Sequence, residues 1–140
     1  MNTLVLLIPF YVVNTTTYIL IYMFVFLDGL ELFKGFLKSE FSEENLEFWI
    51  ACEEFRFAVD SKLPTAAQKI YGDFVAFQAP KEVNLDSTTR TATISSLENP
   101  SKDTFELAQH KIQALMEKDS YPRFIESELY QQLLDNVPIV

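Results

Sequence analysis

The chain has 140 residues, which suggests one domain, and 49% of them are hydrophobic, which is enough for a buried core. With 13 phenylalanines and only 3 glycines, the composition favours an all-α fold over a turn-rich β fold. The formal net charge of −9 disfavours binding to a phosphate backbone. We therefore expect no nucleic-acid partner and favour partners with basic surfaces.

The N-terminal segment of residues 1–27 contains no charged side chain. It is long enough to span a bilayer, although Pro9 and a polar stretch at residues 14–17 interrupt it. It lacks the basic region that begins a signal peptide. Three interpretations stay open: a transmembrane or membrane-anchoring helix, an apolar segment packed on the domain, or an aberrant start from an alternative exon or gene-model error. We expect a domain at residues 28–135 and a short tail at 136–140.

Two helices are predicted next along the chain. Apolar residues recur at helical spacing over residues 30–38 and indicate an amphipathic helix. A second helix is predicted from Glu43 to about Val59, with Ser42 as its N-cap. Its apolar side chains form two stripes, one of which includes Phe57, so we expect this helix to pack between neighbours. Glu53 falls within that stripe and must be partly exposed or paired, since an unpaired buried carboxylate is costly.

The middle of the chain predicts a helix, a loop and a weaker helix. Pro64 suits a first helical turn, and the apolar spacing continues to about Phe77. Residues 80–86 are predicted to form a loop, and Ser87 is the next candidate N-cap. The β-branched residues after Ser87 make a helix uncertain by propensity alone.

The last third predicts two more helices. The first begins near Phe105 and extends to about Lys118. Residues 120–122 then interrupt the pattern, with Pro122 early in a new and final helix. Asp119 and Arg123 have the i, i+4 spacing that favours an ion pair on a helix, although the predicted break lies between them.

No catalytic or metal-binding set is visible in the sequence. His110 is the only histidine and lies opposite the apolar face of its helix, and Cys52 is the only cysteine and lies in an apolar stripe. One histidine and one buried cysteine do not form a usual metal site, and there is no phosphate-binding glycine loop. We expect no cofactor, and the lone cysteine fits a reducing compartment.

Three stretches carry a family resemblance. The run FLKSEFSEENLEFWIACEEF at residues 36–55 resembles the signature of the regulator of G-protein signalling (RGS) domain. Residues 79–87 and 115–124 resemble two later stretches of the same family, in the same order and spacing. The resemblance extends from about Gly29 to about Leu134.

The resemblance implies an antiparallel helical bundle, a central four-helix bundle with terminal helices, and a helix after Ser87. The apolar N-terminal segment stands where the family has its first two helices, which help to close one end of the bundle. The Asn at position 84 is implied to lie near the GTPase catalytic site of a Gα subunit. The full set of implied Gα contacts is Glu40, Ser42, Glu44, Asn45, Asn84, Leu115, Asp119, Ser120 and Arg123.

The function implied is GTPase activation of a GTP-bound Gα subunit, of the inhibitory or q class, without catalytic residues of the chain's own. Such a protein attenuates receptor signalling at the cytoplasmic face of the plasma membrane, and residues 1–27 add a membrane contact or a single-pass insertion as an open alternative. A second function stays open: a non-catalytic Gα-binding module or membrane-tethered scaffold, because the first helices of the family are missing.

Overall fold

The computed structural model describes residues 29–135, and seven α-helices make up most of this range. They are α1 (Gly29–Ser39), α2 (Glu44–Arg56), α3 (Leu63–Ile70), α4 (Ser87–Ser96), α5 (Glu106–Leu115), α6 (Tyr121–Ile125) and α7 (Glu128–Asp135). Between residues 29 and 135 the chain has only helices, turns and loops, so the all-α prediction is confirmed there. The predictions for the segment 1–27 and the tail 136–140 lie outside the described residues. Within this described range no helix has the length and apolar composition needed to cross a membrane.

The described chain divides into two compact units. One unit combines residues 29–43 with residues 115–135, and the other contains residues 44–114. Each unit has its own buried core, and each is described separately below.

An aromatic cluster forms the core of the unit that contains α1, α6 and α7. Phe124 is fully buried and lies at its centre. Its ring centroid is 5.2 Å from that of Phe33 and 5.5 Å from those of Phe36 and Tyr130. Tilted and edge-on aromatic pairs at these separations are favourable beyond their burial. This cluster joins α1 to the two helices that follow residue 120.

Helix α2 supplies much of the core of the other unit. Phe48 and Phe55 are buried and contact Phe74 and Phe105, with ring centroids 5.6 Å and 5.1 Å apart respectively. Cys52 is buried beside them, as its apolar stripe predicted. Phe74 and Phe105 belong to two separate segments that both follow α2 in the chain, so the prediction that α2 packs between neighbours is confirmed within this unit.

The predicted pairing of Glu53 is also confirmed. Its carboxylate is only 3% exposed, and Oε1 accepts a hydrogen bond of 2.6 Å from the amide Nε2 of Gln109. The guanidinium of Arg56 lies 3.8 Å from the same oxygen and donates to the amide oxygen of Gln109 at 2.8 Å. Gln109 Nε2 lies 3.2 Å from the backbone oxygen of Trp49 as well. These contacts satisfy Oε1, whereas the buried Oε2 has no hydrogen-bond partner among the described residues. The bonds through Gln109 link α2 to α5 and hold the two helices in one register.

Two predictions about helix ends were wrong. Helix α2 ends at Arg56 and not near Val59, because Phe57 and Ala58 donate to carbonyls three residues back and so tighten the last turn. Phe57 therefore leaves the apolar stripe and is 53% exposed. The N-cap of α4 is Asp86 and not Ser87: Asp86 Oδ1 accepts the backbone N–H of Thr89 at 2.8 Å.

Helix α4 forms despite its β-branched sequence, so the helix that the resemblance implied is confirmed. Thr89 and Thr93 are buried, and the Thr93 hydroxyl donates to the carbonyl oxygen of Thr89 at 2.9 Å. The bonds from the Thr89 backbone and hydroxyl lower the pKa of the Asp86 carboxyl, so the cap stays charged at neutral pH. Local caps and burial thus outweigh the weak propensity.

Two segments that were predicted as ordinary helix are π-helical. Residues Tyr71–Val75 extend α3, and residues Met116–Ser120 join α5 to α6. The prediction that Pro122 lies early in a new helix is confirmed, since it sits in the first turn of α6, where its missing N–H costs nothing. The predicted break before it was wrong, because the π segment leads directly into α6. Short π segments are often found at functional sites.

Replacing Phe124 with alanine tests the aromatic core. We expect Phe124→Ala to lower the free energy of unfolding by about 3–5 kcal/mol, because a full ring is lost from a buried site. Phe77→Ala is the matched control, since Phe77 is 82% exposed and its loss should change stability by less than about 0.5 kcal/mol. Urea denaturation of both variants measures the difference. Equal midpoints would contradict the central place of Phe124.

Candidate functional site

The predicted contact residues fall in both units. The first unit holds Glu40, Ser42, Leu115, Asp119, Ser120 and Arg123, and the second holds Glu44, Asn45 and Asn84. Each group has its own internal geometry.

Arg123 joins three of the predicted residues into one cluster, here called the carboxylate–arginine cluster (Glu40, Asp119 and Arg123). Its Nε and Nη2 donate to the two carboxylate oxygens of Glu40 at 3.1 Å and 2.7 Å, and its Nη1 donates to Asp119 Oδ1. These bonds raise the pKa of Arg123 above its usual range, and the bonds to Glu40 contribute more than the bond to Asp119. The predicted pair of Asp119 and Arg123 is therefore confirmed.

The second partner of Arg123 was not predicted. Glu40 lies 83 residues earlier in the chain, and no local spacing signals such a contact. The Arg123 side chain is 44% exposed, so these bonds add little to stability. A two-oxygen contact does fix the plane of a guanidinium, so the cluster presents Arg123 in one orientation.

The end of α1 shapes the loop that follows it. Phe41 has a φ of +57°, and its N–H donates to Lys38 while the N–H of Ser42 donates to Leu37 at 2.9 Å. This pattern is a Schellman motif, which usually has glycine at the left-handed position. The Ser42 hydroxyl also donates to the Leu37 oxygen at 3.4 Å, so Ser42 helps to close the end of α1, and its role as the N-cap of α2 stays a prediction.

Phe41 is a candidate contact residue that sequence reasoning missed. Its side chain is 90% exposed, and a left-handed conformation costs a residue with a β-carbon about 1–2 kcal/mol. An exposed aromatic ring in a strained turn is a reason to suspect a function. The signal was present in the sequence, since Phe41 is the one apolar residue between Lys38 and Leu46.

Leu115 and Ser120 lie at the two ends of the π segment in the first unit. Leu115 is half-buried, which agrees with a role divided between core and surface. Ser120 is only 2% exposed, so its side chain packs below the surface and is not available for direct contact with a partner.

Asn45 and Glu44 form the first turn of α2. Asn45 is 7% exposed, and its Oδ1 is buried with no hydrogen-bond partner among the described residues. A buried acceptor without a donor costs about 1–3 kcal/mol. Asn45 therefore has an unused acceptor at the end of a helix.

Asn84 lies in the loop of residues 80–86, here called the Asn84 loop. Its side chain is exposed, whereas the residues on either side, Val83 and Leu85, are buried. The Val83 N–H donates to the carbonyl oxygen of Phe74 at 2.9 Å. The buried side chains of Val83 and Leu85 and the backbone bond from Val83 therefore anchor the loop on both sides of the exposed Asn84 side chain.

An ion pair ties the Asn84 loop to α2. Lys81 Nζ lies 2.6 Å from Glu47 Oε2, and Glu47 is one turn after Glu44. The second unit thus holds the segment that carries Asn84 beside the helix that carries Asn45. The two residues are far apart in sequence, and this pairing had no sequence signal.

The two groups supply binding chemistry. Neutral amides both donate and accept hydrogen bonds, and the carboxylates and Arg123 add charge. Within residues 29–135 there is no group of three or more His, Cys, Asp or Glu side chains that could hold a metal ion. Burial raises the pKa of the Cys52 thiol, which disfavours a nucleophilic thiolate.

Comparison with known proteins shows one family. The model of the Regulator of G protein signaling domain matches residues 23–133. Regulator of G-protein signaling 5 from Bos taurus is 53% identical over 107 residues, which cover 76% of this chain and 59% of the relative. Regulator of G-protein signaling 8 from Homo sapiens is 54% identical over 107 residues, with the same coverage of 76% and 59%. The chain thus spans about three fifths of the length of these curated relatives.

The turn at Phe41 supplies a stability test. Phe41→Gly should unfold at a higher urea concentration than Phe41→Ala, by about 1 kcal/mol in the free energy of unfolding, because only glycine relieves the left-handed strain. Both variants remove the same exposed ring, so each controls for the other. Equal stability of the two variants would contradict the strained turn.

Proposed function

The chain belongs to the regulator of G-protein signaling family, and on this premise we propose that it accelerates GTP hydrolysis by a Gα subunit. The partner is the GTP-bound subunit, and the chain binds its switch segments. The chain contributes no catalytic residue of its own, so it regulates an enzyme.

The physical logic is that of selective binding. A Gα subunit carries its own transition-state arginine and its own water-orienting glutamine. A partner accelerates the reaction when it binds the transition-state arrangement of the switch segments more tightly than the ground state. Such a partner needs a surface that is rigid before binding, because a rigid surface loses less conformational entropy on binding.

The observation that carries this proposal is the exposed Asn84 amide on its fixed support. Val83 and Leu85 are 1% and 7% exposed, so the backbone on both sides of Asn84 is anchored. An amide can contact the catalytic glutamine and the switch backbone without adding charge to the site. Asn84 is therefore assigned the role of orienting the catalytic glutamine of Gα.

Asn45 supports the same proposal. Its Oδ1 is buried and has no partner in the described chain, so a donor from Gα would satisfy this oxygen once the Asn45 side chain turns outward. That gain exists only in the complex. Asn45 is thus suited to binding more than to the stability of the free chain.

The carboxylate–arginine cluster supplies a charged contact surface. The bonds from Glu40 and Asp119 hold Arg123 in one orientation, so Gα meets a prearranged guanidinium and its two carboxylates. Glu44 adds a further acidic group in the first turn of α2. With a net charge of −9, the chain fits basic side chains on its partner.

The class of Gα and the site of action are further parts of the proposal. We assign the partner to the inhibitory or q class of Gα and the site of action to the inner face of the plasma membrane, where residues 1–27 would add a membrane contact. The scaffold alternative is not favoured, because the family model and relatives of 53–54% identity are regulators of G-protein signaling.

Removing the Asn84 amide tests the function. Asn84→Ala should lower the acceleration of single-turnover GTP hydrolysis by an inhibitory-class Gα at least about tenfold, the loss expected for about 1.4 kcal/mol of transition-state stabilisation. It should leave thermal stability almost unchanged, because the side chain is exposed. Asn99→Ala, at an exposed loop asparagine, is the matched control and should retain full acceleration. Full activity of Asn84→Ala would overturn the assignment.

A further inference from the structure

Arg90 makes three contacts with the segment that precedes Asn84. Its Nη1 donates to the carbonyl oxygen of Val75, and its Nη2 donates to the carbonyl oxygen of Val83 at 3.2 Å. The same Nη2 lies 3.3 Å from Glu82 Oε1. The Arg90 side chain is 22% exposed, so these contacts are largely shielded from water.

The carbonyl groups of Val75 and Val83 lie at the two ends of one connecting segment, residues 75–83. Val75 is the last residue of the π segment, and Val83 comes directly before Asn84. The planar guanidinium of Arg90 therefore connects the end of the π segment to the residue that directly precedes Asn84. A guanidinium can hold two acceptors at a fixed angle, which an ammonium group cannot do.

The turn between these ends is itself strained. Gln78 has a φ of +60°, and its N–H donates to Glu82 Oε2 at 3.0 Å. The other oxygen of that carboxylate faces Arg90. Arg90 thus orients Glu82, and Glu82 in turn satisfies the strained backbone at Gln78.

We propose that Arg90 is a positioning residue that clamps residues 75–83 and so fixes the direction of Asn84. This proposal rests on the proposed function, since it names what holds the functional amide in place. Arg90 acts through Asn84 and does not touch the partner. The clamp is independent of the ion pair between Lys81 and Glu47, which holds the same loop from the side of α2.

Arg90→Lys is the variant to measure, because it keeps the charge and can reach only one acceptor well. The maximal rate of single-turnover GTP hydrolysis by an inhibitory-class Gα should fall about threefold to tenfold, the loss expected for one hydrogen bond. The concentration of full-length chain that gives half the maximal rate should change much less. Arg56→Lys is the matched control, since Arg56 is 18% exposed and bonds to Gln109 within the same unit.

A double-mutant cycle separates positioning from general stability. In the Asn84→Ala background, Arg90→Lys should cause no further loss of maximal rate, because the group that it positions is gone. Amide hydrogen exchange at Val83 should be faster in Arg90→Lys than in the wild-type chain, while exchange in α2 stays the same. Arg56→Lys should leave both the maximal rate and the Val83 exchange unchanged.

Three results would overturn the proposal. One is an equal loss from Arg90→Lys with and without Asn84, and another is an unchanged exchange rate at Val83. The third is a loss of rate in Arg56→Lys as large as that in Arg90→Lys. If the wild-type chain gives no acceleration, both the proposed function and the positioning role are contradicted. If the wild-type chain accelerates hydrolysis and Arg90→Lys gives the same maximal rate, the positioning role alone is contradicted.

Discussion

The buried carboxylate of Glu53 must be hydrogen-bonded, and this requirement determines how the unit of residues 44–114 is assembled. Gln109 meets it for Oε1 from α5, and the same amide nitrogen also donates to the backbone oxygen of Trp49, so α2 is held in one register. Phe48 and Phe55 then contact Phe74 and Phe105, which belong to two separate later segments of the unit. The position of α2 decides where Asn45 emerges and where Glu47 meets the Asn84 loop.

The candidate site contains several locally unfavourable features. Phe41 and Gln78 have positive φ without being glycine, and the buried Oδ1 of Asn45 lacks a donor. Each of these features costs stability in the free chain. Local rules are commonly broken at functional sites, where a partner or a mechanism compensates for the cost. The clamp by Arg90 shows how such strain is kept in place, because it holds the turn at Gln78 through Glu82.

Much of this structure could be predicted from local patterns. Apolar spacing predicted the helices and their buried faces, and the placement of Glu53 in an apolar stripe predicted that it would be paired. Helix ends were less predictable: Asp86 replaced Ser87 as a cap, and α2 stopped before Phe57, because neighbouring side chains compete for the same backbone groups. The long-range contacts of Arg123 with Glu40 and of Lys81 with Glu47 had no local signal, since they depend on how separate segments meet.

The central claim is that the chain recognises the transition-state arrangement of Gα, and equilibrium binding tests it most directly. The affinity of the chain should be measured for one Gα subunit with GDP, with a non-hydrolysable GTP analogue, and with GDP and aluminium fluoride, which mimics the phosphoryl group in transfer. We predict binding to the aluminium fluoride state that is tighter by at least about tenfold than binding to either other state. Equal affinity for all three states would contradict the account, because uniform binding cannot accelerate the chemical step.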